Sequence, residues 1–239
     1  MLRPERGNLQ TKEKASVYIA IFTLNERDGW CAPGIIQFIV QCTTSPRKLC
    51  LHVENNKRHV DYARNLVVKD FLATDFEWLL MLDNDIAPPP NLLDMVDRAG
   101  DHMDILGPRY FLFAADLQKY AKIPGLPLVL GWQPLRDRVG DAEWVELAWS
   151  GGGVMFARRR VFEAMHPPWF RFEYDEDGQW INHEDRSFCQ KARKAGFTVW
   201  GNTQFEADHF KTISLSALAK STGAIMPSAV SELLARGMQ

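Results

Sequence analysis

Trp78-Leu79-Leu80-Met81-Leu82-Asp83-Asn84-Asp85-Ile86, closed off by Pro88-Pro89-Pro90, is the stretch on which the fold of this chain turns. An apolar run of strand length delivers two carboxylates and then stops at three prolines. In an extended chain, residues two apart point to the same side, so Asp83 and Asp85 are expected to face one spot at the strand's end. The neighbouring sequence supplies no Lys or Arg, so the two carboxylates repel unless a cation lies between them. Oxygen ligands of this kind suit Mg²⁺ or Mn²⁺.

Working outward, the pattern around this run is that of alternating strands and helices. Val17-Tyr18-Ile19-Ala20-Ile21-Phe22 reads as a buried first strand that breaks into the polar loop Thr23-Leu24-Asn25-Glu26-Arg27-Asp28-Gly29. Ile35 to Cys42 is apolar and fits either a helix or a strand, and Leu49 to Val53 reads as a second strand. Asp61 to Leu72 places Ala63, Leu66, Val67 and Phe71 at helical spacing, which predicts a helix feeding the Trp78–Leu82 strand. A further amphipathic helix is expected from Asn91 to Ala99, with the prolines setting its start. The result is an α/β domain with a mixed, mostly parallel sheet flanked by helices.

Gly107 to Trp149 is rich in Gly, Pro and aromatics and is expected to hold short strands and a mobile loop around Pro124-Gly125-Leu126-Pro127. Gly151-Gly152-Gly153 then turns into a strand ending near Ala157, with a helix from about Arg159 to Met165. Asn182 reads as the N-cap of a helix that stops at Gly196, its apolar stripe being Phe188, Cys189, Ala192 and Ala195. In that frame Asp185 stands three residues past the cap, as in a capping box, so its carboxylate has a purely structural explanation available. Phe197 to Trp200 is a short strand, and Asp208-His209 follows.

The bulk properties bound the function. With 239 residues, 46% hydrophobic, 24% charged and a net charge of −2, this is an ordinary globular composition of one domain. Lys and Arg are scattered, which argues against duplex nucleic acid as the partner. The four cysteines, Cys31, Cys42, Cys50 and Cys189, form no metal-site spacing, and a reduced, cytoplasmic setting is expected. No apolar run approaches the ~18 residues of a membrane span. Residues 1–15 read as a polar N-terminal tail, 16–212 as the domain and 213–239 as a C-terminal helical extension.

Taken in order, these segments resemble the GT-A glycosyltransferases, the nucleotide-sugar-dependent transferases of the family-2 type. Phe22-Thr23-Leu24-Asn25-Glu26 is similar to the first-strand loop that holds the nucleotide, and Ala63-Arg64-Asn65 to the helix lying over it. Asp83-Asn84-Asp85 is similar to the D-x-D metal motif, and Gly151-Gly152-Gly153 with Arg158-Arg159 to the glycine loop near the acceptor. Glu184-Asp185-Arg186-Ser187-Phe188 is similar to the E-D-x-x-F motif, and His209 stands where many members carry a third metal ligand. The compact chain with Pro167-Pro168-Trp169-Phe170 also resembles small transferases encoded by bacteriophages.

The resemblance implies a set of roles. Asp185 is the expected catalytic base. Thr23, Asn25, Glu26 and Arg64 are expected at the base and ribose, with Asp83, Asn84, Gly152, Gly153 and Glu184 completing the nucleotide-sugar site. Asp83, Asp85 and His209 are the expected ligands of Mn²⁺ or Mg²⁺. The implied reaction moves one sugar from a nucleotide-sugar donor, a UDP-sugar, to an acceptor hydroxyl; a base across the sugar from the leaving group implies inversion, with retention left open by the sequence. The Q-x-x-R-W motif of processive synthases is missing from the sequence. The acceptor stays open among saccharide, lipid, protein, metabolite and a hydroxylated DNA base. A metal-dependent nucleotidyltransferase and a catalytically silent sugar-binding protein on the same fold are the alternatives.

Overall fold

The computed structural model describes residues 14–23, 32–55, 59–113, 128–135 and 142–210. The expected helical extension over 213–239, the tail up to residue 13, and Asn25 and Glu26 lie outside these residues.

Strands β1 (Val17–Thr23), β2 (Leu49–Asn55) and β3 (Trp78–Asp83) pair in parallel, with β1 central and β2 at the sheet edge. The sheet continues through β10 (Val154–Arg158), β5 (Ile105–Arg109), β13 (Val199–Glu206), β9 (Trp144–Ser150) and β8 (Trp132–Pro134). β10 and β9 run against the other strands of this sheet, so six of its eight strands share one direction although the ladders on either side of β10 and β9 are antiparallel. Short ladders join β6 (Phe111–Phe113) to β7 (Leu128–Leu130), β11 (Glu173–Tyr174) to β12 (Trp180–Asn182), and β4 (Ile86–Ala87) to β14 (Asp208–His209).

β1 and β3 are buried on both faces, which is why they read as unbroken apolar runs rather than alternating ones. Tyr18, Ala20 and Phe22 face α2 (Val60–Leu72), α4 (Arg159–Ala164) and α5 (Glu184–Lys194), packing with Phe71, Phe162 and Phe188. Val17, Ile19 and Ile21 face the other layer, where α1 (Pro33–Thr44) and α3 (Asp94–Arg98) contribute Ile35, Phe38 and Met95.

Three expectations change. The segment left open between helix and strand is helix α1, whose first residue is Pro33, a position where the missing amide hydrogen costs nothing. The helix expected over Asn91–Ala99 shrinks to Asp94–Arg98, because the chain after the prolines spends its backbone groups on successive turns, Leu92 N–H to Pro89 O (3.0 Å) and Asp94 N–H to Asn91 O (2.9 Å). α5 begins at Glu184 with His183 as N-cap and no side-chain cap. Asn182 instead ends β12, donating to Glu173 (2.9 Å) and Gln190 (3.0 Å). The capping-box explanation of Asp185 falls with it.

Candidate active site

The site forms where β1 and β3 end, the carboxyl edge at which α/β sheets bind ligands. Its centre is Arg64, on the inner face of α2 and only 2% exposed. The guanidinium donates through Nη1 to the Gly152 carbonyl at 2.7 Å and through Nη2 to Asp83 Oδ1 at 3.2 Å, and its Nε lies 3.4 Å from Glu184 Oε1. The sequence suggested two acidic residues with no cation beside them; the fold supplies one from 19 residues before Asp83. Burial opposes the charge on Arg64, but Asp83, Glu184 and Asp185 together outweigh it. Arg64 was expected at the base or ribose; it lies buried beneath the carboxylates.

One guanidinium against three carboxylates leaves the cluster anionic. Burial pushes the carboxyl of Glu184, 6% exposed, up to about 7, against the pull of Arg64. Asp185 is held differently. Its Oδ2 accepts from the Gly152 N–H at 2.8 Å and its Oδ1 from the Arg186 N–H at 2.6 Å, so the side chain is aimed by backbone. Gly153 closes the arrangement by accepting from the Asp83 N–H at 2.8 Å.

The triple glycine is required by close approach, since none of its members has a positive φ. A Cβ on Gly151 would stand 2.1 Å from the Tyr110 hydroxyl, one on Gly152 2.7 Å from the Arg64 guanidinium and one on Gly153 2.7 Å from Ile86.

A second pair lies alongside. The β4–β14 ladder sets His209 opposite Ile86, and the Phe210 N–H donates to Asp85 O at 2.8 Å. His209 Nδ1 is 3.0 Å from the Phe111 carbonyl and Nε2 is 3.3 Å from Asp85 Oδ2. A carbonyl can only accept, so Nδ1 carries a hydrogen, and in the neutral form of the ring the Nε2 lone pair then faces a carboxylate oxygen. Two acceptors facing each other in this way suit a shared divalent cation, and a carbonyl behind the other ring nitrogen is the usual support of a metal-binding histidine. Asp83 does not join this pair: β3 ends there, Asn84 and Asp85 form a turn, and the Asp83 carboxylate points to Arg64. Among the described residues, His183, Glu184 and Asp185 form the group whose ligand atoms all lie within 4.8 Å of one another.

The remaining residues fall around these two clusters. Asn84 is fixed by its backbone, donating to Phe22 O at 3.0 Å and accepting from Ala32 N–H at 2.7 Å. Thr23, at the end of β1, directs its hydroxyl to the Glu54 carbonyl at 3.4 Å. Sequence reasoning missed Tyr110, which is buried between the clusters, its ring edge-on to His209 at 5.9 Å. Burial pushes its phenol far up, and Asp185 and Asp83 add to the effect. Nothing in the residues near Tyr110 marks it. Trp180 is 50% exposed and meets the His183 ring at 3.8 Å, just before the Glu184–Asp185 pair. The imidazolium of His183 is disfavoured by burial, with Asp185 opposing.

No protein-family model matches this chain, and a search of curated proteins finds no match. Solved structures do. A197 from STIV superposes with a TM-score of 0.54 at 17% identity, covering 82% of this chain and 86% of that one. GalNAc-T7, solved with UDP, GalNAc and Mn²⁺, superposes with a TM-score of 0.51 at 11% identity over 85% of this chain. The chain spans 45% of the length of the GalNAc-T7 chain. At these identities the likeness is one of fold: an α/β fold of the GT-A type, with a mixed sheet between helices. Among the described residues no helix is long and apolar enough to cross a membrane.

Proposed function

We propose that residues 16–212 form a metal-dependent glycosyltransferase that moves a single sugar from a UDP-sugar to an acceptor hydroxyl with inversion. The observation that carries this reading is the pairing of two unlike acidic groups at one sheet edge. Asp85 with His209 offers a cation an oxygen and a nitrogen 3.3 Å apart, while Asp185 is held on the Gly152 amide as a proton acceptor. The neighbour crystallised with UDP, GalNAc and Mn²⁺ supports the choice of donor class and metal.

Asp85 and His209 would hold Mn²⁺ or Mg²⁺, with Asp83 beside them, and the ion would offset the charge of the diphosphate as it departs. Arg64 keeps Asp83 and Glu184 in place from below, so its part is positioning. Thr23 and Asn84, with Asn25 and Glu26 of the following loop, are assigned to the nucleotide, and Gly152 and Gly153 to the sugar. Asp185 takes the proton from the acceptor hydroxyl as that oxygen bonds to the anomeric carbon and the bond to the diphosphate oxygen breaks. A base on the face opposite the leaving group inverts the anomeric centre. The half-exposed Trp180 ring, packed against His183 two residues before Asp185, suits stacking against the acceptor. The thiols of Cys42, Cys50 and Cys189 are unpaired, in keeping with a cytoplasmic setting.

The test is UDP release from a panel of UDP-sugars with Mn²⁺, run on the wild type, Asp185→Asn and His209→Ala, with UDP affinity measured alongside. Asp185→Asn should fold and bind UDP normally but turn over ~10²-fold or more slowly, the usual worth of a general base. His209→Ala should lose the Mn²⁺-dependent part of UDP affinity. Native turnover in Asp185→Asn, or equal UDP affinity in Mn²⁺ and EDTA, refutes the assignment.

A further inference from the structure

On the flank of α5 turned away from Asp185 lies a cavity of about 310 Å³, walled by Pro168, Trp169, Arg171 and Glu173 on one side and by Ser187, Gln190, Lys191 and Lys194 on the other. Ser187, Gln190, Lys191 and Lys194 recur at helical spacing and so line one stripe of the helix. The sugar-transfer reading makes no use of this stripe.

Its charges do not cancel. Three cations face one carboxylate, and both oxygens of that carboxylate are already engaged, Oε1 by the Ser187 hydroxyl at 3.0 Å and Oε2 by the Asn182 amide at 2.9 Å. Arg171 and Lys194 are exposed and enter no ion pair with a described residue. Lys191 donates to the carbonyls of His166 and Pro168, which fixes its ammonium at the rim with one N–H to spare. Gln190 accepts from Asn182 Nδ2 at 3.0 Å through its carbonyl oxygen, leaving its amide hydrogens as donors. Donors outnumber acceptors on every wall.

We propose that this cavity binds a phosphate group, through Arg171, Lys191, Lys194 and the Gln190 amide, at a site separate from the carboxylate cluster. The guanidinium supplies the forked donors that match a phosphate and the two ammonium groups supply charge. Crowding supports the assignment: burial and the neighbouring Arg171 both disfavour the charged form of Lys191, and a bound anion would relieve the second of these. At ~30 Å³ per water the cavity has room for roughly ten waters, more than a bare phosphate fills. The ligand class is therefore a phosphate monoester whose organic part lies along Pro168 and Trp169.

The test is calorimetric titration with inorganic phosphate and with glucose 1-phosphate at ionic strength held constant with NaCl. The wild type should bind, and the double variant Arg171→Ala, Lys194→Ala should bind at least 10-fold more weakly; both positions are exposed, and an unchanged melting temperature confirms the fold. Asp185→Asn should bind phosphate as the wild type does, which separates this site from the transfer site. Tighter binding of glucose 1-phosphate identifies the monoester, and tighter inorganic phosphate the free ion. Equal affinity in the double variant, absence of binding in the wild type, or displacement of the phosphate by UDP would overturn the proposal.

Discussion

Replacing Arg64 by Met tests the central electrostatic argument. Met keeps most of the length and apolar bulk of the side chain and removes the guanidinium. Three carboxylates then share a buried corner with no internal cation, and the Gly152 carbonyl loses its 2.7 Å donor. Removing one partner of a buried ion pair costs about 3–5 kcal/mol. For a domain of this size each kcal/mol moves the melting temperature by ~2–4 °C, so a fall of roughly 6–20 °C is expected. Urea denaturation followed by tryptophan fluorescence measures it directly. The repulsion exists only while the carboxylates are ionised, so the deficit should be full near pH 8 and shrink as the pH falls toward about 4, the ordinary carboxylate range. Arg64→Lys restores charge without the fork and should recover only part of the loss. A deficit below about 1 kcal/mol, or one that does not change with pH, would refute the view that Arg64 balances this cluster.

Two further outcomes follow from the same corner. Because burial raises the Glu184 carboxyl to about 7 from an ordinary 4.5, the folded state holds its proton more tightly than the unfolded chain, and stability should decline as the pH rises between these values. Glu184→Gln should flatten that decline, and parallel pH profiles of urea midpoints for the two proteins would contradict the assignment. Gly152→Ala places a Cβ 2.7–2.8 Å from a guanidinium that three partners hold, and should cost about 1–3 kcal/mol by overpacking. A melting temperature equal to that of the wild type would show that Arg64 has room to move.

The strand and helix order was legible because β1, β3 and α2 announce themselves through apolar runs and helical spacing, which depend on residues close in sequence. The position of Asp85 beside His209 was expected from the resemblance and is set by the β4–β14 ladder, a pairing across 122 residues that no local pattern encodes. What local reading misjudged, it misjudged for long-range reasons. Asn182 is a good cap by type, but Glu173 and Gln190 claim its amide. Asp83 was expected to face the same spot as Asp85, but Arg64 claims its carboxylate. Tyr110 gave no signal, since a tyrosine buried against a glycine loop looks the same in sequence as one in any core. Asn65, read as part of a motif over the nucleotide, is tied instead to the chain after the cis Pro167–Pro168 bond, accepting from Trp169 N–H at 2.8 Å and donating to Phe170 O at 2.7 Å.

The position of β10 also bears on how the chain is made. β3 is covered on one edge by β1 but on the other by β10, an antiparallel strand that starts at Val154, and 70 residues separate the end of β3 from that point. At about 5–20 residues per second, a nascent chain on the ribosome presents the open edge of Trp78–Leu82 for roughly 4–14 s before its partner exists. An apolar edge of this kind is a template for pairing with other chains. Slowing translation between residues 84 and 153 should therefore lower the soluble yield, and a chaperone that shields strand edges should restore it.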